Sequence, residues 1–227
     1  MDTKNLIFNE NLIKKKIYPC ESPLRTFLMD SNFTKAAVLF SIIPHVNKPY
    51  ELILIHRSNM GTRHRGEMSF PGGKFELEVD KSLRDTALRE TEEEIGVPRG
   101  NVRIIGCLDD FPTISKFIVT PFLGLINNNQ KLKRDEREVQ KIVKVPIDFF
   151  INKINFTEQE FDVGGEKFPV FYYNYNNEEN GQIYTIWGVT AFLITYFLEI
   201  VYNVQIGSNI ARRPTLDDII KRHQHLK

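Results

Sequence analysis

The feature that most constrains the fold is a long apolar stretch near the carboxyl end of the chain. The 22 residues from 183 to 204 contain a single charged side chain, Glu199. A stretch of this length can span a lipid bilayer, and it also fits a helix buried in a protein core. Three threonines, Gly188, Asn203 and Glu199 interrupt its apolar character. We therefore predict a buried helix over residues 185–202 and no membrane span.

The rest of the composition is typical of a folded globular protein. Of the 227 residues, 41% are hydrophobic and 26% are charged, which argues against intrinsic disorder. The 30 Lys plus Arg nearly balance the 29 Asp plus Glu, so the formal net charge is +1. A surface that coats nucleic acid needs a clear cationic excess. We therefore expect no nucleic-acid partner.

Cysteine usage and the N-terminal residues bear on the compartment. The two cysteines, Cys20 and Cys107, are far apart in sequence and form no C-x-x-C pair. Neither a disulfide framework nor a zinc site is expected from such spacing. Residues 1–19 include three consecutive lysines and no apolar run long enough for a signal peptide. The sequence thus predicts a reduced, cytoplasmic protein.

Hydrophobic patterning predicts an α/β fold made of a single domain. Two apolar runs separated by turn residues predict a β-hairpin, and Ser82 begins a helix that Gly96 and Pro98 end. Neither a repeat nor a low-complexity linker divides the chain. The predicted strands cover residues 36–43, 50–55, 102–108, 117–126 and 168–175. The predicted organisation is an N-terminal extension (1–34), one domain (35–204), and a tail or short helix (205–227).

The helix predicted over residues 82–95 places three carboxylates together. At about 100° per residue, Glu90, Glu93 and Glu94 fall within an arc of about 100°, away from the apolar flank. Glu90 and Glu94 repel each other at this spacing unless a cation lies between them. Mg²⁺ takes one or two carboxylates together with phosphate oxygens and water. A solvated acidic face is the alternative.

The segment before the helix suits phosphate. Gly72 and Gly73 let the backbone approach a ligand closely, although a Gly-Gly pair is also found in ordinary turns. Residues 57–74 include four basic side chains and one acidic side chain. Guanidinium groups bind phosphates through paired hydrogen bonds, and a solvated basic loop is the alternative. A basic loop therefore precedes an acidic helix.

These residues resemble the Nudix box, G-x5-E-x7-R-E-U-x-E-E-x-G-U, in which U is a bulky apolar residue. The R-E-x-x-E-E-x-G half is complete from Arg89 to Gly96, with a Thr in the first U place. The first half departs, because Gly73 lies two residues too far from Gly96 and Lys81 occupies the place of the early glutamate. The neighbouring Asp80 is the expected substitute.

An upstream signature narrows the resemblance to the coenzyme A pyrophosphatase-like branch of Nudix hydrolases. The branch pattern is L-L-T-x-R-[SA]-x3-R-x3-G-x3-F-P-G-G. The segment from Ile53 to Gly73 is similar, with Ile55 in place of the Thr and the second Arg at 63 instead of 62. The likeness covers roughly residues 35–200. It implies a Nudix-type α/β/α sandwich around a mixed β-sheet.

The resemblance implies a metal-dependent hydrolase of the diphosphate linkage in coenzyme A or acyl-CoA. The products would be 4′-phosphopantetheine and adenosine 3′,5′-bisphosphate. An ADP-ribose or other nucleoside-diphosphate-derivative diphosphatase is the alternative within this class, and a Nudix-fold module that binds nucleotide without cleaving it is the alternative from another class. The cofactor would be Mg²⁺ or Mn²⁺, and the partner would be a nucleotide-diphosphate small molecule. Family resemblance alone favours a homodimer.

The same resemblance implies three roles for residues of the site. Glu93, positioned by Arg89, completes the metal site or acts as general base, and Glu138 on a distant loop is the second candidate for the base. We expect Trp187 to pack in the core or against the helix, not to stack on a base. The implied residues are Glu90, Glu94 and the Gly73 carbonyl for metal; Glu93, Arg89 and Glu138 for catalysis; and Arg57, Arg63 and Arg65 for substrate.

Overall fold

The structure is a computed structural model that describes residues 6–58, 66–163, 165–178, 180–207 and 215–225. The described residues form four α-helices and eleven strands. The helices are α1 (Glu10–Lys14), α2 (Leu83–Ile95), α3 (Gly188–Tyr202) and α4 (Leu216–His225). The strands are β1 (Thr34–Ile43), β2 (Glu51–Arg57), β3 (Met68–Ser69), β4 (Gly72–Lys74), β5 (Val102–Cys107), β6 (Phe111–Pro112), β7 (Phe117–Ile126), β8 (Val139–Pro146), β9 (Phe156–Val163), β10 (Glu166–Asn177) and β11 (Gln182–Trp187).

Alternating side chains in β1 and β2 form two apolar faces. In β1, Leu39 packs on one side of the sheet and Phe40 on the other, and in β2 the same alternation separates Ile53 from Leu54. All four side chains are fully buried. Burial on both faces is expected where layers cover a sheet on each side. The two strands pair antiparallel, which confirms the predicted hairpin.

Strand pairing forms one mixed sheet and one antiparallel sheet. The main path of the larger sheet runs β3-β2-β1-β7-β5, while β4 pairs with β1, β6 with β7 and β8 with β2. Its central pair, β1 and β7, is parallel, whereas the two glycines of β4 pair antiparallel with β1. The smaller sheet runs β11-β10-β9. Because β1 is the middle strand of the main path, β4 and its two glycines lie near the centre of the larger sheet.

Helices cover both faces of the larger sheet. Leu88 and Ile95 of α2 pack in the cluster on one face. On the other face, Phe197 of α3 lies 4.8 Å from Phe40 between ring centroids, and Tyr173 of the smaller sheet joins the same cluster. This arrangement confirms the predicted α/β fold with helices on either side of a mixed sheet.

The apolar stretch of residues 183–204 forms two elements instead of one. Its first residues belong to β11, and Gly188, at a φ of 61°, turns the chain into α3. In the part of the chain that the structure describes, no helix is long and apolar enough to cross a membrane. The predicted helix is confirmed from Gly188 onward. The strand before it was not predicted. Its outward side chains include the apolar Ile183 and Trp187, so the alternation typical of a strand is hidden.

The N-terminal residues belong to the packed fold. Tyr18 and Cys107 exchange two backbone hydrogen bonds, at 2.9 and 3.3 Å. This pairing brings Cys20 beside Cys107, and the two form a disulfide with Cα atoms 5.0 Å apart. The prediction of unpaired cysteines is therefore wrong. Their separation by 87 residues hid a contact that only the strand pairing creates.

Two charged or polar segments also contribute to the core. β8 lies in a region that reads as a charge run, yet Val143 and Val145 point inward while Lys141 and Lys144 face solvent. The C-terminal residues include α4, whose Ile219 is fully buried in a small cluster with β10. Tertiary packing thus gives structure to segments whose composition is mostly polar.

Candidate active site

The local sequence determines both ends of α2, which supplies the carboxylates. The Ser82 side chain caps the first turn by accepting a hydrogen bond from the Asp85 amide at 3.2 Å. Gly96 ends the helix at a φ of 69°, where an added Cβ would lie 2.8 Å from the Lys133 carbonyl oxygen. Both predicted ends of this helix are confirmed.

Glu94 is the most deeply buried carboxylate of the helix, with 1% of its side chain exposed. Its Oε1 accepts a hydrogen bond from Arg57 at 2.9 Å, and its Oε2 accepts one from the Gly72 amide at 2.9 Å. Burial outweighs these two partners and raises the pKa of Glu94 to about 8. A cation next to this carboxyl group would favour the ionised form.

The backbone of Gly72 and Gly73 lies directly against the carboxylates and the sheet. An added Cβ at Gly73 would lie 2.2 Å from Glu90 Oε1, and one at Gly72 would lie 2.4 Å from the Ala37 carbonyl oxygen. The backbone contact excludes a side chain at Gly72, whereas a Cβ at Gly73 would force the Glu90 carboxylate to move. The Gly-Gly pair therefore allows close packing between β4, β1 and α2, and it belongs to a strand, not to a turn.

Glu90 lies between this backbone and solvent, with 13% of its side chain exposed. Burial raises the pKa of Glu90, while neighbouring Arg89 lowers it. The charges of Glu93 and Glu138 add to the upward shift. Glu93 and Glu138 are thus close enough to Glu90 to disfavour its ionised form.

Arg89 links the carboxylate cluster to the loop before the helix. Its side chain is 6% exposed and donates from Nε and Nη2 to the two Asp80 oxygens, at 2.9 and 3.0 Å. Its Nη1 donates to Glu90 at 2.8 Å and to Glu93 at 3.0 Å, and its Nη2 also donates to the Lys74 carbonyl at 3.2 Å. The Arg89 guanidinium holds the pKa of Asp80 at about 2. One arginine therefore orients two carboxylates of the helix.

The donor set fits a hard divalent cation. Among the residues that the structure describes, no group of three or more His, Cys, Asp or Glu side chains is arranged to hold a metal ion. Glu90 and Glu94 are nevertheless one helical turn apart, and the Gly73 backbone packs against Glu90. Carboxylate and carbonyl oxygens are the ligands that Mg²⁺ and Mn²⁺ prefer. Both carboxyl groups have raised pKa values, which a bound cation would lower.

The other predicted site residues differ in their placement. Arg57 is 27% exposed and ends β2 beside Glu94. Glu138 is exposed, and its carbonyl accepts the Ser58 amide hydrogen bond at 2.8 Å, so its loop is tied to the end of β2. Arg63 and Arg65 lie outside the described residues, and their roles stay predictions. The structure thus brings together the predicted residues of β2, β4 and α2.

Sequence reasoning missed the groups that support the cluster. Buried Thr86 donates from its hydroxyl to Asp80 at 2.9 Å, and the Glu76 amide donates to the same carboxylate at 3.0 Å. The sequence predicts that the backbone at Gly72 approaches a ligand, whereas in the structure the Gly72 amide donates to Glu94. The one available signal was a threonine three residues before Arg89 on the buried side of the helix, and such a residue reads as ordinary packing.

Comparison with known proteins identifies a family and several relatives. The NUDIX domain family model matches residues 36–161. "Nudix hydrolase 22, chloroplastic" from Arabidopsis thaliana is 34% identical over 170 residues, which are 74% of this chain and 55% of the plant protein. The mouse "Peroxisomal coenzyme A diphosphatase NUDT7" is 30% identical over 157 residues, 69% of this chain and 66% of that protein. A solved structure of a C. elegans Ap4A hydrolase is similar at 21% identity and a TM-score of 0.42, covering 51% of this chain and 81% of that one.

The matched region includes the whole site described above. It begins in β1, contains Arg57, the two glycines and all of α2, and extends past Glu138. The match spans 55% of the length of the Arabidopsis relative. Because the family model covers more than half of this chain and coincides with the carboxylate cluster, the chain belongs to the Nudix family.

Proposed function

We propose that the chain is a metal-dependent hydrolase that cleaves the diphosphate linkage of coenzyme A or acyl-CoA. The products would be 4′-phosphopantetheine and adenosine 3′,5′-bisphosphate. One observation carries the proposal: Glu90 and Glu94, one turn apart on α2, meet the side-chain-free backbone of Gly72 and Gly73. A diphosphate with its metal requires such a cluster of oxygen ligands beside open backbone.

The metal would be held by Glu90, Glu94 and the Gly73 carbonyl. When bound, Mg²⁺ or Mn²⁺ would neutralise the charge of the diphosphate and lower the pKa of the attacking water. Arg89 keeps Glu90 in place through its 2.8 Å hydrogen bond, and Asp80 keeps Arg89 in place in turn. Arg57, partly exposed beside Glu94, is available to bind a phosphate oxygen.

Two side chains are the candidates for the general base. Glu93 is 56% exposed, and Arg89 holds one of its oxygens at 3.0 Å, so the other oxygen can accept a proton. Glu138 is exposed on the loop beside Arg57, and its charge influences Glu90. Glu93→Gln and Glu138→Gln separate the two. The variant of the true base should lose about 10²- to 10⁴-fold in kcat, together with the acidic limb of the pH–rate profile.

Two observations support the coenzyme A substrate. Arg57 occupies the first arginine place of the branch signature and lies at the mouth of the carboxylate cluster. The mouse relative that is 30% identical is named a coenzyme A diphosphatase. Arginines suit this substrate because coenzyme A carries a 3′-phosphate in addition to its diphosphate.

A substrate panel tests the proposal directly. Purified protein with Mg²⁺ or Mn²⁺ is incubated with coenzyme A, ADP-ribose, NADH, a diadenosine polyphosphate and a nucleoside triphosphate, and the products are read by mass spectrometry. We expect coenzyme A to be cleaved to the two products named above. Rapid turnover of ADP-ribose with none of coenzyme A would refute the substrate and favour the alternative within the family.

A pair of matched variants tests the metal assignment. Glu94→Gln should abolish activity while the protein stays folded. Glu92→Gln is the control, since Glu92 lies on the same helix, is 44% exposed and pairs with Arg99 away from the cluster. Wild-type rates in Glu94→Gln would remove Glu94 from the metal site.

A further inference from the structure

Trp187 lies on the outer face of the smaller sheet. Its side chain is 41% exposed, and its ring is nearly parallel to that of Tyr172, with an interplanar angle of 5° and centroids 6.1 Å apart. The two residues are register partners across β10 and β11. Ile186 is fully buried and Trp187 faces outward because side chains alternate along a strand. The expectation that Trp187 packs in the core is therefore wrong.

The strand that carries Trp187 adjoins the end of the larger sheet that carries the carboxylate cluster. β11 lies against β3, and Tyr184 of β11 packs against His56, which precedes Arg57, with ring centroids 5.3 Å apart. α3 begins directly after Trp187, and its Phe192 lies 4.7 Å from the ring of Phe111 in β6. β6 pairs with β7 next to the part of β1 that pairs with β4. The start of α3 therefore lies at the same end of the sheet as the two glycines.

Neither helix capping nor burial explains this tryptophan. Trp187 is the N-cap residue of α3, yet its side chain makes no capping hydrogen bond. An indole N–H is a donor and has no oxygen to accept the free amides of a helix start. A polar residue would serve better at an exposed N-cap. The large exposed ring calls for another role.

We propose that Trp187, backed by Tyr172, is the surface on which the purine ring of the nucleotide substrate stacks. The proposal rests on the function proposed above, which supplies an adenosine-containing substrate. Aromatic side chains bind bases by stacking, since every base presents a π-face. Tyr172 holds one side of the indole before substrate arrives, which lowers the ordering cost of binding. Trp187 thus contributes to substrate affinity and takes no part in the chemical step.

The chain contains a single tryptophan, so its fluorescence reports this surface alone. Intact protein with Mg²⁺ is titrated with adenosine 3′,5′-bisphosphate, with ADP, and with 4′-phosphopantetheine, which has no aromatic ring. The two adenine nucleotides should quench the emission in a saturable manner, and 4′-phosphopantetheine should not. If nucleotide leaves the emission unchanged but dilution of the protein changes it, the proposal is overturned in favour of a contact between two copies of the chain.

Kinetics of variants provide the second measurement. Trp187→Ala should raise KM for coenzyme A about five- to a hundredfold with kcat within about twofold, and Trp187→Phe, which keeps an aromatic ring, should stay near wild type. Ile183→Ala is the control, because Ile183 is 64% exposed on the same face of β11. Normal coenzyme A turnover with unchanged KM in Trp187→Ala would refute the stacking surface and leave the function intact. Failure of the wild type to cleave coenzyme A would instead refute the function, and the titration with ADP would still test the surface.

Discussion

Replacing Asp80 with asparagine tests how the carboxylate cluster is held. Asp80 is buried and accepts hydrogen bonds from Arg89, the Thr86 hydroxyl and the Glu76 amide. An asparagine of the same shape keeps one oxygen and turns an NH₂ group toward donors, so it loses part of this set. Arg89 then stays buried without its main counter-charge, since Glu90 and Glu93 each take only one hydrogen bond from it.

The shifted pKa of Asp80 sets the size of the effect. Arg89 and the other donors lower this pKa from 3.8 to about 2. A tenfold change in a proton equilibrium corresponds to ~1.4 kcal/mol, so the ionised group stabilises the fold by about 2.5 kcal/mol at pH 7. The Asp80 side chain is fully buried, and screening by solvent does not reduce this figure. We expect Asp80→Asn to lower the free energy of unfolding by about 2–3 kcal/mol.

Urea unfolding at two pH values provides the assay. Because the folded pKa is depressed, the stabilisation is complete above the unfolded pKa near 3.8 and is lost as the pH falls through about 2. About half of it should remain at about pH 3. Glu78→Gln, an exposed charge removed from the same loop, is the control. Equal stabilities of the two variants at pH 7, or a difference that does not shrink at pH 3, would refute the reasoning.

Three further predictions concern Gly73, Glu94 and Tyr173. Gly73→Ala should abolish hydrolysis in a folded protein because the new Cβ would lie 2.2 Å from Glu90, whereas Gly100→Ala, with nothing within 4 Å, should remain active. The metal-free folded chain holds an extra proton on Glu94 between its unfolded pKa of 4.5 and its folded pKa of about 8, so stability should fall as the pH rises through that window. Mg²⁺ should consequently raise the melting temperature more at about pH 8.5 than at about pH 6, and equal shifts would contradict this. Tyr173→Phe should cost about 1 kcal/mol in urea unfolding, since its hydroxyl meets Thr195 at 2.8 Å in the core, and an unchanged midpoint would contradict the bond.

The sequence predicts those parts of the site that helix geometry alone brings together. Glu90 and Glu94 are one turn apart on any helix, and Ser82 and Gly96 mark the ends of this one. Their proximity requires no knowledge of the rest of the fold. The cluster of glutamates, together with Arg89, could therefore be predicted from the spacing of these residues along the helix.

Contacts between distant segments could not be predicted in the same way. Arg57 reaches Glu94 across 37 residues, and Cys20 reaches Cys107 across 87, each because strand pairing joins the segments. The outward position of Trp187 depends on the register of β11, which an assumed helix over the same residues conceals. The hydrophobic pattern of a sequence indicates the local periodicity of a helix or strand. Strand register and long-range pairing are determined only when the sheets assemble.

The near-zero net charge also shows how local sequence and long-range contacts differ in what they reveal. Residues 76–94 have eight acidic and three basic side chains, a local balance of −5, whereas residues 57–74 have a balance of +3. The fold places these two segments in contact through the Arg57–Glu94 ion pair, while Arg89 neutralises its own neighbours from within the helix. Two arginines therefore let the carboxylates be buried in the metal-free chain. Burial still raises the pKa values of Glu90 and Glu94 despite the two arginines, and a divalent cation beside them would favour their ionised forms. A net charge near zero is therefore compatible with a site for a strongly charged small substrate.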